Sequence, residues 1–484
     1  MLFNSIDFAI FLPLVFILYW FVFQKDLRTQ NALIVVASYT FYGWWDWRFL
    51  GLILFSSIVD YTIGLQLKNV NGIKKRKLLL WLSIVINIGF LGFFKYFNFF
   101  VDNFVQAFSF FGYQIPSTSL NIILPVGISF YTFQTLSYTI DIYRKQLEPT
   151  KDFIAFTAFV SFFPQLVAGP IERAINLLPQ FYTQRRFDYR SAVLGLRQIL
   201  WGLFKKIVIA DNCAELANEI FNNSSNYGGT SLLLGAVMFA FQIYGDFSGY
   251  SDIAIGTSRL FGFKLMKNFA FPYFSRDIAE FWRRWHISLS TWFRDYLYIP
   301  LGGSRGGVIM KVRNTFVIFI VSGFWHGANW TFIIWGFLNA LYFLPLLLRN
   351  KNRVHTGDIA ENKLLPTFKE LRGMLLTFSL TVLAWVFFRA ENISHAIQYI
   401  MDLFTGLLKT TNYFKTFSLL FDFSPMLILI FGIFIIIEWR GRHAEFAIYK
   451  LTNYRLLNTL FYYTILFLLF IYSGKPQEFI YFQF

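Results

Sequence analysis

Long apolar blocks recur from one end of the chain to the other, separated by short polar stretches. They predict helical membrane spans at 6–23, 31–45, 49–66, 78–100, 120–140, 191–210, 231–250, 373–389, 424–437 and 456–472. A crossing needs ~20 predominantly apolar residues, and several blocks are shorter, so the ends of these spans are loosely set. The charge of the intervening loops gives an orientation, because basic residues collect on the cytoplasmic side. Segment 67–77 holds Lys68, Lys74, Lys75, Arg76 and Lys77 without an acid and is expected inside. Segments 101–119 and 211–230 hold no Lys or Arg and are expected outside. Ten crossings then place both termini outside, and the N-terminal block reads as an uncleaved first span.

Two apolar segments break this alternation. Residues 153–169 and 314–348 each have basic residues on both flanks, so a single crossing would strand charge on the wrong face. Broken or re-entrant helices resolve the conflict, and such backbone is tolerated at membrane depth where it lines a cavity. Pro164 and Pro170 mark break points in the first segment, Gly323 and Gly327 in the second. Lys205 and Lys206 fall inside a predicted span and must either snorkel or face a polar cavity. Placed on one helix, residues 282–296 put Trp282, Trp285, Leu289, Trp292, Phe293 and Tyr296 on one side. Arg283, Arg284, Ser288, Ser290, Thr291, Arg294 and Asp295 fall around the other. This is an amphipathic helix suited to the interface, with His286 at the edge of the aromatic face.

Composition narrows the class. The chain is 56% hydrophobic and 21% aromatic, with only 14% charged residues and a mean hydropathy of +0.50. That excludes a soluble enzyme, a disordered chain and a disulfide scaffold, and points to one all-α, membrane-embedded domain over residues 1–484. The net charge of +16 then reads as cytoplasmic loop charge rather than as a nucleic-acid surface. Cys213 is the only cysteine, which leaves no disulfide, and no metal site is expected. No internal repeat of the inverted transporter kind stands out.

Polar residues within apolar sequence are the candidates for chemistry. His326, in VSGFWHGANWTFIIWG, lies 12 residues beyond residue 314, roughly 18 Å along an upright helix and near the middle of a ~30 Å core. It is either a proton acceptor or a histidine bonded to a neighbouring carbonyl. His286 is either an interfacial anchor or a polar group at the mouth of a cavity. Residues 280–313 carry six basic side chains, among them Arg283, Arg284 and Arg305, against two acids, and would attract an anionic donor. The run Gly302-Gly303-Ser304-Arg305-Gly306-Gly307 fits neither a P-loop nor a dinucleotide fingerprint. In 241–256, Asp246, Ser248, Tyr250, Ser251 and Asp252 interrupt apolar sequence, as helix caps or as the lining of a polar route.

Six segments together resemble the membrane-bound O-acyltransferase family, and within it the bacterial branch that O-acetylates alginate and peptidoglycan. They are FQTLSYTIDIYR (133–144), FFPQLVAGPIER (162–173), GDFSGYSDIAIG (245–256), FWRRWHISLSTWFRDYLYIPLGG (281–303), FWHGANWTFIIWG (324–336) and FIYFQF (479–484). The match is densest over 241–336. The resemblance implies a multi-span fold of about ten crossings, with re-entrant and interfacial helices around a central tunnel in the bacterial cytoplasmic membrane. It implies His326 and His286 as the catalytic histidines, with Asn329, Trp325, Asp246, Tyr250, Arg283, Arg284 and Arg305 around the substrates. The donor is then acetyl-CoA or another acyl thioester, with no permanently bound cofactor, and the acceptor is an extracytoplasmic polysaccharide hydroxyl. An exported partner protein is expected to complete the transfer. Two alternatives stand: D-alanyl transfer toward teichoic acid, and a transporter or flippase for an anionic solute.

Overall fold

The computed structural model describes residues 1–113, 120–361, 363–473 and 477–480, and every regular element among them is helical. The last four residues of the FIYFQF segment lie outside the described residues, as do 114–119 of the expected outer loop. Seven helices among the described residues are long and apolar enough to cross a membrane, with the bent pair Asn412–Phe421 and Pro425–Arg440 a further candidate. The expected ten-crossing pattern is therefore redistributed. The first block gives only a 17-residue apolar helix, Ile6–Val22. The predicted 120–140 span starts at Ile128, after a non-helical stretch.

Both segments that broke the alternation find a structural reason. Residues 153–169 form a nine-residue helix, Phe153–Ser161, capped by Asp152 accepting from Ala155 N at 3.0 Å. Nine residues span about 13 Å, too little for a crossing, and Ala155–Ser161 are all buried. Residues 314–348 are not one interrupted span. They belong to two helices of 19 residues, Val308–His326 and Trp330–Leu348. Such a hairpin leaves and returns on one side, so the basic flanks agree. Gly323 is not a break point: it is helical, and a Cβ there would collide with the carbonyl of Phe332, just as one at Gly336 would collide with that of Phe319. Small residues let the two backbones approach, which is how helices associate where lipid removes the hydrophobic drive.

Two compact units can be told apart: Met1–Gly195 with Ala254–Met266, and Leu196–Ile253 with Lys267–Phe484. The first is organised by buried polar contacts. Asp60 accepts from Ser83 Oγ at 2.5 Å, Asn87 Nδ2 at 2.8 Å and Thr139 Oγ1 at 3.0 Å, tying together the helices Leu50–Asn69, Ile73–Leu91 and Ile128–Tyr143. Arg185 donates to Gln30 and Asn31 and lies over the Phe263 ring at 4.7 Å. Burial pushes the carboxyl of Glu172 up to about 7.

The second unit holds all the segments from 281 onward. From Leu196 on, it holds the end of the helix Tyr189–Leu203, which runs into a π-helical stretch, Phe204–Ala210, and then into Asp211–Asn222. The expected acidic outer loop is thus mostly helix, and Cys213 is buried within it. A Cβ at Gly202 would stand 2.5 Å from Gly249 O, and one at Gly249 2.7 Å from Gly202 O. The close approach brings both lysines of the π-stretch to the acids of the long helix Gly229–Leu260. Lys205 pairs with Asp252 at 2.6 Å and Ser248 at 2.9 Å; Lys206 pairs with Asp246 at 2.9 Å and Asp211 at 2.8 Å. Neither lysine snorkels.

Candidate active site

The amphipathic helix expected over 282–296 is broken in the middle. Two seven-residue helices, Ile278–Arg284 and Ile287–Phe293, flank Trp285 and His286. His286 adopts left-handed backbone, φ 44° and ψ 55°, which a non-glycine residue rarely does without support from its surroundings. Breaking the helix turns the ring inward. His286 is 1% exposed, not at an interfacial mouth. Its ring meets Phe247 edge-on at 4.6 Å and stacks near Phe269 at 6.4 Å. Burial lowers its pKa to about 3, so the imidazole is neutral at physiological pH.

Asn268, which nothing in the local sequence marks out, fixes that imidazole. Its backbone carbonyl accepts from Ile287 N at 2.9 Å. Its Oδ1 accepts from the backbone N–H of Ser288 at 3.3 Å and from Ser288 Oγ at 2.9 Å. Its Nδ2 donates to Ser251 Oγ at 3.0 Å. The backbone donor identifies Oδ1 as the acceptor end of the amide. His286 Nδ1, 3.1 Å from that oxygen, therefore carries the proton, and Nε2 carries the lone pair.

His326 is the last residue of the helix Val308–His326, about 20 Å along the axis from Arg313, the last basic residue of that helix. Gly327 leaves the helix in extended backbone, and Asn329 opens the next. The His326 ring is boxed by Trp325 at 4.9 Å, Trp335 at 5.1 Å and Phe388 at 5.3 Å. Trp335 stacks on Trp385 at 5.4 Å, which also touches Phe388 at 5.0 Å. Each such aromatic pair adds roughly 0.5–1.5 kcal/mol beyond its buried area. The indole of Trp325 joins the two histidines: it lies 6.2 Å from His286 and 4.9 Å from His326, centroid to centroid. Two imidazoles 40 residues apart in sequence thus face one buried tryptophan.

Comparison with known proteins gives the family. A model of the membrane-bound O-acyltransferase family matches residues 143–387. A probable alginate O-acetylase AlgI from Azotobacter vinelandii is 41% identical over 82% of this chain and 76% of its own length. The peptidoglycan O-acetyltransferase of Helicobacter pylori is 36% identical over 82% of this chain and 79% of its own. The chain belongs to the membrane-bound O-acyltransferase family. It is an O-acyltransferase and a multi-pass membrane protein. At greater distance, the teichoic acid D-alanyltransferase of Streptococcus thermophilus is 30% identical over 54% of this chain and 68% of its own length.

The other residues singled out in the sequence fall in several places around this candidate site. Asn329 is the N-cap of the helix Trp330–Leu348, accepting from Thr331 N at 3.0 Å and donating to Glu391 O at 2.9 Å; its amide is committed to structure. Arg283 donates to the carbonyls of Asn352 and His355. Arg284 is held by Glu280 and the carbonyl of Ala270. Both guanidinium groups therefore brace loops, Arg283 while exposed to solvent. Arg305 is exposed on the glycine-rich loop, which Asn314 pins by donating to Leu301 O and Gly303 O. Asp246 pairs with Lys206, and Tyr250 packs on Phe479 at 4.7 Å.

A cavity of about 230 Å³ opens beside the histidines. Trp282, Phe319 and Phe343 line its apolar part; Ser290, Arg294 and Arg353 are among its polar lining. Trp282 packs on Trp335 at 5.7 Å, and Trp335 on His326. Ser322, also in the lining, sits one helical turn before His326. Two indoles, Trp282 and Trp335, link this cavity to the candidate catalytic ring.

Proposed function

We propose that the protein moves an acyl group, acetyl in the first instance, from a cytoplasmic thioester such as acetyl-CoA to a hydroxyl of an extracytoplasmic polysaccharide, directly or through an exported partner protein. The seat is the bacterial cytoplasmic membrane, with both termini outside. The observation that carries this reading is the pair of buried histidines on Trp325, one with its tautomer fixed by Asn268. Neutral His326 takes the acceptor hydroxyl proton while that oxygen forms a C–O bond to the thioester carbonyl carbon. The C–S bond then breaks, and the imidazolium returns the proton to the departing thiolate. His286, with Nδ1–H held and Nε2 basic, orients the acceptor or relays the proton.

The donor's anionic end meets Arg294 and Arg353 at the 230 Å³ cavity, with Arg305 on the adjoining loop. Its thioester arm runs along the Trp282–Phe319 wall toward His326. Arg353 is exposed, and Arg294 is 58% exposed while paired with Asp295, so both are open to solvent-borne phosphate. Acetyl is favoured over D-alanyl because the named acetylating relatives match 82% of the chain and the D-alanylating one 54%. The test is incubation of purified protein with radiolabelled acetyl-CoA and acceptor membranes. Release of the free thiol together with labelled polysaccharide supports the reading. Transport of a solute without thioester consumption would replace it.

A further inference from the structure

Segment 477–480 is an unusual visitor to the core. Phe479 and Ile480 are each 1% exposed, although they lie far along the chain from everything they touch. Three backbone bonds hold the segment, one of them from the N–H of Gln477 to the Asp211 carboxylate. Lys206 Nζ donates to Gln477 O at 3.0 Å, and Ile480 N donates to Asp246 Oδ2 at 2.7 Å. Lys206 and Asp246 are themselves an ion pair at 2.9 Å, and Asp211 completes the group at 2.8 Å from Lys206. All three charged side chains are buried, so each pairing is costly to leave incomplete. Lys206 also belongs to the π-helical stretch Phe204–Ala210, and such local widening of a helix recurs at functional sites.

Between its two backbone anchors the segment delivers one ring. Phe479 packs on Tyr250 at 4.7 Å and on Phe247 at 6.4 Å. Phe247 is the residue whose ring meets His286 edge-on at 4.6 Å. A continuous chain of contacts therefore runs from the Lys206–Asp246 pair, through the segment, to the imidazole. The charges read the backbone of 477 and 480, whereas the aromatic wall reads the side chain of 479.

We propose that the Lys206–Asp246 ion pair is a latch that holds segment 477–480 in the core, keeping Phe479 against the Phe247 wall of His286, and that both residues thereby act as positioning residues for acyl transfer. Lys206 and Asp246 touch no reacting atom in this role. The positioning half rests on the function proposed above; the latch itself does not.

Thiol protection separates the two. In a Cys213→Ala background, Ile480→Cys places a single thiol in the latched segment of the full-length, detergent-solubilised protein. With the latch intact, a maleimide should modify it slowly. Lys206→Met combined with Asp246→Asn should speed modification roughly ten-fold or more, since the bond to Gln477 O is lost and the bond from Ile480 N loses its charge assistance. The same pair of changes with Cys213 and Ile480 retained should leave buried Cys213 protected, and kcat should fall with little change in the donor KM. An unchanged labelling rate at 480 overturns the latch. Faster labelling with unaltered kcat overturns the positioning role. Should the double variant also expose Cys213, Phe479→Ala decides: it loosens the segment from its own side while the buried charges keep one another. It must then raise labelling at 480 and lower kcat with Cys213 protected, and failure in either respect overturns the proposal. Slow labelling of Ile480→Cys in the latched protein, with no thioester consumed by the wild type, would refute the proposed function and leave the latch standing.

Discussion

Removal of the Asn268 side chain tests the geometry of the site more sharply than removal of either histidine. In Asn268→Ala, the backbone N–H of Ser288 loses its side-chain acceptor, and His286 Nδ1–H keeps only Ser288 Oγ at 3.4 Å, in a region where both residues are 1% exposed. A buried donor left without a partner costs about 1–3 kcal/mol, a sizeable share of the 5–15 kcal/mol that ordinarily holds a protein folded. A clear fall in melting temperature is expected. Among molecules that remain folded, the imidazole is free to rotate and to move its proton to Nε2. Loss of the partner that orients a metal-bound histidine typically costs 10–100-fold, and by the same orienting logic kcat should drop about ten-fold or more with little change in donor KM. Asn268→Asp keeps the acceptor and adds a charge that favours the imidazolium. The pKa of His286, held at about 3 by burial, then rises, and activity is lost as pH falls through the new value. The acid limb of the kcat profile should move up by at least about one pH unit, or 1.36 kcal/mol. Folded Asn268→Ala with wild-type kcat, or an Asp variant with an unmoved acid limb, would refute the assignment of Nδ1–H.

Other consequences are independent of that one. His286 has a folded pKa below its ordinary 6.5, so the unfolded chain binds more protons and stability falls as pH drops from 6.5 toward 3. The gap in melting temperature between wild type and His286→Gln should therefore narrow or reverse on acidification, with His286 costing roughly 2 kcal/mol at pH 5. Gly336→Ala should destabilise the 308–348 hairpin by about 1–3 kcal/mol through overpacking and disturb His326, measured by thermal unfolding and turnover together. Arg294→Ala with Arg353→Ala should raise the apparent donor KM, by less at high salt, because exposed charges are screened within ~10 Å at 0.1 M. Arg283→Ala should instead lower stability at unchanged KM. Cys213 should resist maleimide in native protein from either side of the membrane and react on denaturation.

The candidate site was legible in the sequence as motif and hardly at all as geometry. His326 and His286 stood out because a histidine in apolar sequence is costly, and the spacing of apolar blocks announced a multi-span helical protein. The hairpin at 308–348 was obscured because apolar character alone placed its start at 314, six residues into a helix whose first turns carry Lys311 and Arg313. The break at Trp285–His286 was hidden for a different reason: a left-handed residue leaves no trace in a 3.6-residue period, so 282–296 plotted well as one helix. Lys205 and Lys206 looked misplaced in a span because their partners Asp252, Asp246 and Asp211 are set by a glycine-mediated helix contact, which is a tertiary event. Asn268 escaped altogether, since a single amide in a loop carries no pattern. Arg283 and Arg284 were conspicuous as charge, yet their guanidinium groups serve loop carbonyls and Glu280.

Thiol release from acetyl-CoA by folded His326→Gln, set beside wild type in the presence of acceptor membranes, tests the central claim most directly. Glutamine fills much of the aromatic box of Trp325, Trp335 and Phe388 and remains polar, but it cannot take the hydroxyl proton. The account predicts a rate lower by about 10²–10⁴-fold, the usual cost of a lost general base, with donor binding retained. Turnover by the folded variant near the wild-type rate would contradict it and return His326 to the role of a buried structural histidine.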